Sequence, residues 1–239
     1  MRLTYKLNQL LPLLGFLLAL GGEARAALLS EAVFAHSGGA TGGTYLVINT
    51  SLGDLTLPSV VRGWYDETGA DNGAIAANNY IAGLCGSADG CDSVDLRFRN
   101  WFMFSPTELP PTILGATLYL EVPAVNGFAS PQGVETYTLY SVEYGPAAIT
   151  NGAGQPGYYD LGDGTVYGAR DYTPADLGTT PGIVLNTAAV DALKVLALQG
   201  GNFILGGAVT SLDETAVPEP GTGGLLAAGC ALFVLLRKR

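Results

Sequence analysis

The chain has 239 residues, with 21 acidic side chains against 11 basic ones and a formal net charge of −10. With the two ends set aside, residues 27–220 hold five basic and twenty acidic residues, a net charge of −15. A surface this acidic repels nucleic acid and anionic lipid head groups, which excludes nucleic-acid binding, and the length suits one domain of ordinary size.

The N-terminus reads as a secretory signal. Arg2 and Lys6 precede an apolar run from Leu10 to Leu20, and Ala24-Arg25-Ala26 gives the small-x-small pattern that a signal peptidase admits. The run is shorter than the roughly 20 residues of a permanent anchor. A signal helix within residues 1–26 is therefore expected, cut by signal peptidase between Ala26 and Ala27.

The body, residues 27–215, carries most of the 34 glycines and 13 prolines, with short apolar alternations between them, which predicts many strands and turns. Strands are expected over Thr44–Ile48 and Ser59–Tyr65. In Asp95–Phe104, Leu96, Phe98, Asn100, Phe102 and Phe104 share one face while Arg97, Arg99, Trp101 and Met103 share the other. That pattern predicts a central strand with one face buried throughout. Ala116–Val122, Glu135–Val142, Thr165–Tyr172 and Phe203–Val209 complete the set. One helix is expected over residues 187–199, with Asn186 as N-cap, Gly200-Gly201 as the stop, and Val190, Leu193 and Leu196-Ala197 on its apolar stripe. The fold class is mainly β: an antiparallel β-sandwich, jelly-roll-like, with this one short helix over an end or edge of the sheets.

The C-terminal segment, residues 216–239, has three ordered parts. Val217-Pro218-Glu219-Pro220 comes first, then an uncharged stretch from Gly221 to Leu236, then Arg237-Lys238-Arg239. A helix over 221–236 reaches about 24 Å, so snorkelling basic side chains and local thinning of the bilayer are needed for it to span. The basic end is expected to stay cytoplasmic, leaving the body outside.

This order resembles the PEP-CTERM sorting signal of Gram-negative bacteria. The resemblance implies that the chain is held transiently in the inner membrane. An exosortase then cuts near Pro218-Glu219-Pro220 and passes the protein to the cell surface or extracellular matrix. It also implies a link with exopolysaccharide. Phe98–Val122 resembles the core of jelly-roll modules on bacterial surface proteins, the DNRLRE type among them, although Ser105-Pro106 stands where those modules read aromatic-Asp-Leu. Leu185-Asn186-Thr187-Ala188 and Phe203-Ile204-Leu205-Gly206-Gly207 resemble the closing helix and strand of Gly-rich PEP-CTERM bodies.

Chemistry-bearing residues are sparse. Cys85 and Cys91 bracket a polar, flexible segment and are expected to form a disulfide in an oxidising compartment; zinc is the alternative, but one Cys pair without a nearby His makes a poor site. Cys230 belongs to the apolar tail. His36 is the only imidazole, which leaves Ser-His-Asp catalysis and histidine-ligated metals with a single residue to build on. No catalytic residue is assigned, and the chain is expected not to be an enzyme. A carboxylate pair acting on polysaccharide as a hydrolase or lyase is the alternative. Calcium is the cofactor to consider, through Asp160 and Asp163 in Asp160-Leu161-Gly162-Asp163-Gly164 and through Asp66 and Asp71 around Gly69; turns rich in Asp and Gly also arise without metal. Sugar-stacking rings are the last candidates. Trp64-Tyr65 and Tyr158-Tyr159 are expected to be the most exposed, with Trp101, Tyr119, Tyr137 and Tyr140 also available. The expected function is an exported, exosortase-sorted surface or matrix protein, structural or binding exopolysaccharide.

Overall fold

The computed structural model describes residues 31–35, 43–71, 80–85, 96–106, 109–110, 112–130 and 132–214. All of them fall in one compact unit, Leu29–Thr215. The signal region, His36, Cys91 and the sorting tail lie outside the described residues.

The strands, in chain order, are β1 (Glu31–Ala35), β2 (Thr44–Thr50), β3 (Gly53–Pro58), β4 (Val61–Asp66), β5 (Ile81–Cys85) and β6 (Leu96–Phe104). Then come β7 (Ile113–Leu120), β8 (Glu135–Ser141), β9 (Val166–Tyr172), β10 (Gly182–Val184) and β11 (Phe203–Val209). The helices are α1 (Pro146–Thr150), α2 (Gly154–Asp160), α3 (Thr187–Gln199) and α4 (Ser211–Glu214). All strand pairings are antiparallel. The smaller sheet runs β10-β7-β2-β3 and the larger runs β1-β5-β6-β11-β8-β9. β4 pairs along one edge of β6, while β5 and β11 share the other edge, at Leu96–Phe98 and Asn100–Phe104 respectively. Neither sheet closes into a barrel.

Alternation explains how the two sheets meet. Leu46 and Ile48 of β2, with Ala116, Leu118 and Leu120 of β7, point inward from the smaller sheet. They pack with Phe102 and Phe104 of β6, Tyr137 and Leu139 of β8, and Phe203 and Leu205 of β11 from the larger one. The body is therefore mainly β and sandwich-like, with one apolar core between its sheets. α3 adds Ala189, Val190 and Leu193 to that core, and Asn186 caps it by accepting from the Ala189 N–H at 3.1 Å. No helix among the described residues is long and apolar enough to cross a membrane.

The other face of β6 is covered too. Trp101 and Met103 belong to a second cluster with Tyr65 of β4, Ile204 of β11, and Ile149, Tyr158 and Leu161 from the segment between β8 and β9. This is why β6 loses its polar alternation from Asn100 onward: both of its faces are buried there. The segment that covers it, α1 and α2, was not expected from the sequence.

Candidate functional site

The segment linking β8 to β9 is pinned at its base and along its inner side. Ser141 and Thr165 exchange backbone and side-chain hydrogen bonds at 2.9 Å, and Gly164 has no side chain where the Ser141 carbonyl and hydroxyl crowd it. One turn further, the buried Asp160 accepts from the Glu143 N–H through both carboxylate oxygens, at 3.0 and 3.1 Å, and from the Tyr144 N–H at 3.0 Å. Tyr65, fully buried, donates to the Ile149 carbonyl at 2.7 Å and accepts from the Ala153 N–H at 2.9 Å, fastening the α1–α2 junction to β4. Burial raises the Tyr65 phenol above its ordinary pKa, and those two neighbours keep the hydroxyl satisfied. Gln155 donates to the Glu67 carbonyl at 3.0 Å.

Arg99 holds the C-terminal end of α2. Its guanidinium donates to the Tyr158 and Tyr159 carbonyls at 3.2 and 3.1 Å and lies 4.4 Å from the Tyr158 ring centroid. A cation at helix-end carbonyls is favourable, and the ring face adds a cation–π contact. Gly162 is where a Cβ would meet that guanidinium, at 2.5 Å.

Together these contacts shape an open groove of about 450 Å³, lined by Glu143, Tyr144, Gln155, Tyr159, Asp160 and Asp163 among others. Tyr159 is half exposed and Asp163 is exposed. The Glu143 and Asp163 carboxylates have no hydrogen-bond partner among the described residues. Asp160, by contrast, is committed to backbone donors. A groove with three carboxylates, two tyrosines and no basic side chain among its lining residues suits a cation or a neutral, hydroxyl-rich ligand.

Of the residues singled out from the sequence, Tyr159, Asp160 and Asp163 meet in this groove. Tyr158 does not: it is buried in the second cluster, as is Tyr65, so the expectation that these two rings are exposed is corrected. Consecutive strand residues point to opposite faces, and the face that Tyr65 takes lies under α1 and α2. Trp64 takes the opposite face and packs edge-on to Phe98, with ring centroids 5.1 Å apart. Asp66 is buried and organises its own turn: Oδ1 accepts from the Thr68 N–H, the Thr68 hydroxyl and the Ala70 N–H at 2.9, 2.6 and 3.0 Å. Asp71 bridges back to Tyr65 in the same turn and does not line the groove. No group of three or more His, Cys, Asp or Glu side chains placed to hold a metal ion occurs among the described residues. Cys85 is buried at the end of β5, and its expected partner Cys91 is outside the described residues.

Sequence reasoning missed Glu143, Tyr144 and Gln155. Glu143 and Tyr144 directly follow a correctly expected strand and precede Gly145-Pro146, and strand-end loops are where binding residues gather. No family model matches this chain, and neither a curated protein nor a solved structure does.

Proposed function

We propose that this chain is an exported, exosortase-sorted surface or matrix protein that associates with extracellular polysaccharide through the acidic, tyrosine-flanked groove. The observation that carries the binding half is the meeting of Tyr159, Asp160 and Asp163 with Glu143 and Tyr144 in one open groove. A sugar's apolar face stacks on a tyrosine ring, and carboxylates accept from its hydroxyls directly or through a bound calcium ion. An anionic polymer meets this groove favourably only through such a cation.

The test is native affinity electrophoresis of the full-length chain in non-ionic detergent, in gels cast with exopolysaccharide from the source organism, with calcium or with a chelator. Retardation restored by calcium and lost in Tyr159→Ala and in Asp163→Asn supports the proposal. Mobility unaffected by the polymer in both conditions rejects it and leaves a structural matrix subunit.

The sorting half rests on the ordered tail. Changing Pro218 and Glu219 together to alanine should leave the protein in the inner membrane with its tail intact. Release of that variant at the normal mature mass would sink the exosortase assignment. A disulfide between Cys85 and Cys91 belongs to the same exported setting. The jelly-roll-like form of the sandwich is supported by a strand path that changes sheet at β1–β2, β3–β4, β6–β7, β7–β8, β9–β10 and β10–β11.

A carboxylate-pair hydrolase or lyase is the second possibility, favoured by the two carboxylates, Glu143 and Asp163, that face the groove without partners. It requires polysaccharide turnover that disappears when either one is made an amide.

A further inference from the structure

The smaller sheet has an outer face made by the residues that alternate with its core positions. Register aligns them in rows across the four strands. Pro58, Tyr45, Tyr119 and Gly182 form one row, and Thr56, Val47, Thr117 and Val184 form the next. Asp54, Asn49 and Gly115 make a third, in which the Asn49 amide donates to the Asp54 carboxylate at 2.8 Å. Asp54 is therefore the only charged residue in these three rows, and it is engaged. The Tyr45 and Tyr119 rings stack at 5.2 Å with 13° between their planes. Tyr119 leans over Gly182, where a Cβ would lie 3.1 Å from the ring and 2.8 Å from the Thr117 methyl. Val184 beside it is 74% exposed. No helix among the described residues packs on this face: α3 lies against the core, and α1 and α2 lie on the larger sheet.

From these rows we infer a second binding surface, the outer face of the smaller sheet, that takes an uncharged polysaccharide chain. The stacked Tyr45 and Tyr119 rings, with Tyr119 beside the side-chain-free Gly182, give an apolar strip edged by phenol, threonine and amide groups. That combination suits a pyranose chain, which pairs C–H faces with hydroxyls around its rim. The lack of positive charge in these rows selects the occupant. An anionic polymer finds no cation there and meets a molecule of net charge −10, and a second copy of this chain would bring the same negative charge to the contact. An uncharged glycan meets neither penalty. The inference rests on the reading of the protein as polysaccharide-associated, but it uses a different surface and needs no cation.

The experiment is native affinity electrophoresis of the full-length chain in non-ionic detergent, with a chelator throughout to silence any cation-dependent groove. The gels carry hydroxyethyl cellulose, laminarin or polygalacturonate. Retardation is expected in at least one of the two uncharged polymers and not in the anionic one. Replacing Tyr45 and Tyr119 by alanine should weaken it about tenfold, the worth of two stacked rings. Because that pair also packs against its own sheet, Val184→Arg is the companion variant. It adds bulk and charge at an exposed position and should weaken retardation while leaving the thermal midpoint unchanged. The groove variants Tyr159→Ala and Asp163→Asn run alongside, and retardation should fall less in them than in the sheet variants. Binding lost in the groove variants but kept in the sheet variants overturns the inference and leaves the groove as the site. Absence of retardation in both uncharged polymers overturns it as well. So does a self-associating species in sedimentation that Val184→Arg dissolves without any glycan effect.

Discussion

At Gly207 in β11 the core has room for a hydroxyl and nothing more. Its cross-strand neighbour Asn100 accepts a hydrogen bond from the Tyr137 hydroxyl at 2.5 Å, and both side chains are fully buried between the sheets. A Cβ on Gly207 would overlap the Tyr137 hydroxyl and Asn100 Oδ1. Gly207→Ala should therefore destabilise the fold by about 1–3 kcal/mol, the usual cost of overpacking. Tyr137→Phe alone should also destabilise, because it strands a buried acceptor. In the double variant the overlap with the hydroxyl is gone while that with Asn100 Oδ1 remains, so the clash is relieved in part and the combined loss should be less than the sum of the two in denaturant melts. Strict additivity would mean that the overlap is not what makes Gly207 necessary. The sequence places Tyr137 and Asn100 on alternating strand positions, so their burial was legible there. The need for glycine opposite them was not, since it arises only when three strands come together.

β2, β4, β6, β7, β8, β9 and β11 overlap the strands expected from the sequence, β7 beginning three residues before its expected start, and α3 has the expected bounds and cap. Alternation marked β6, β7 and β8, whereas β11 is buried at all seven positions and was expected without it. β3 was missed although Leu55 and Leu57 alternate with Asp54 and Thr56; it is a short edge strand, exposed along most of its length, with only Leu57 reaching the core. β5 is buried at all five positions, and β10 has three residues. α1 and α2 arise within Gly145–Asp160, a stretch of glycine, proline and asparagine that reads as loop. Neither helix is long enough to be stable alone, and it is packing on Trp101 and Met103 that holds them in place. Tyr65 is the fastener of that cover. Tyr65→Phe keeps the ring in the cluster but strands the Ile149 carbonyl and the Ala153 N–H, at about 1–3 kcal/mol if both stay buried. The loss should be local. Amides of residues 145–161 should exchange faster with deuterium while those of β7 and β2 keep their protection. A uniform loss of protection would show that the segment is part of the global folding unit and not a separate cover. Since the same segment carries Gln155, Tyr159 and Asp160, the variant should also weaken any binding that depends on the groove.

At the scale of the molecule, the buried titrating groups among the described residues are mostly tyrosines. Burial pushes Tyr80 up to about 12, and it raises Tyr65, Tyr137, Tyr167 and Tyr172 in the same direction. The neutral phenol is the form that the core accepts. In the unfolded chain these groups ionise near their ordinary value of about 10. Above that pH the unfolded state releases protons that the native state still holds, so stability falls as pH rises. The stabilisation is fully present below pH 10 and is lost progressively through about 12 for Tyr80, with Tyr137 and Tyr172 extending the loss further. Lys194 is the only lysine among the described residues, so lysine deprotonation contributes little in this range. Denaturant midpoints should be level from pH 8 to about 9.5 and drop steeply beyond 10, and Tyr80→Phe should flatten that slope. A competing cause is the growing negative charge of an already acidic molecule, whose self-repulsion also rises with pH. Salt separates the two, because it screens surface repulsion but leaves the proton linkage of buried phenols nearly unchanged. If 1 M sodium chloride abolishes the alkaline slope, surface charge is responsible. A slope that survives salt and shrinks in Tyr80→Phe assigns it to the tyrosines between the sheets.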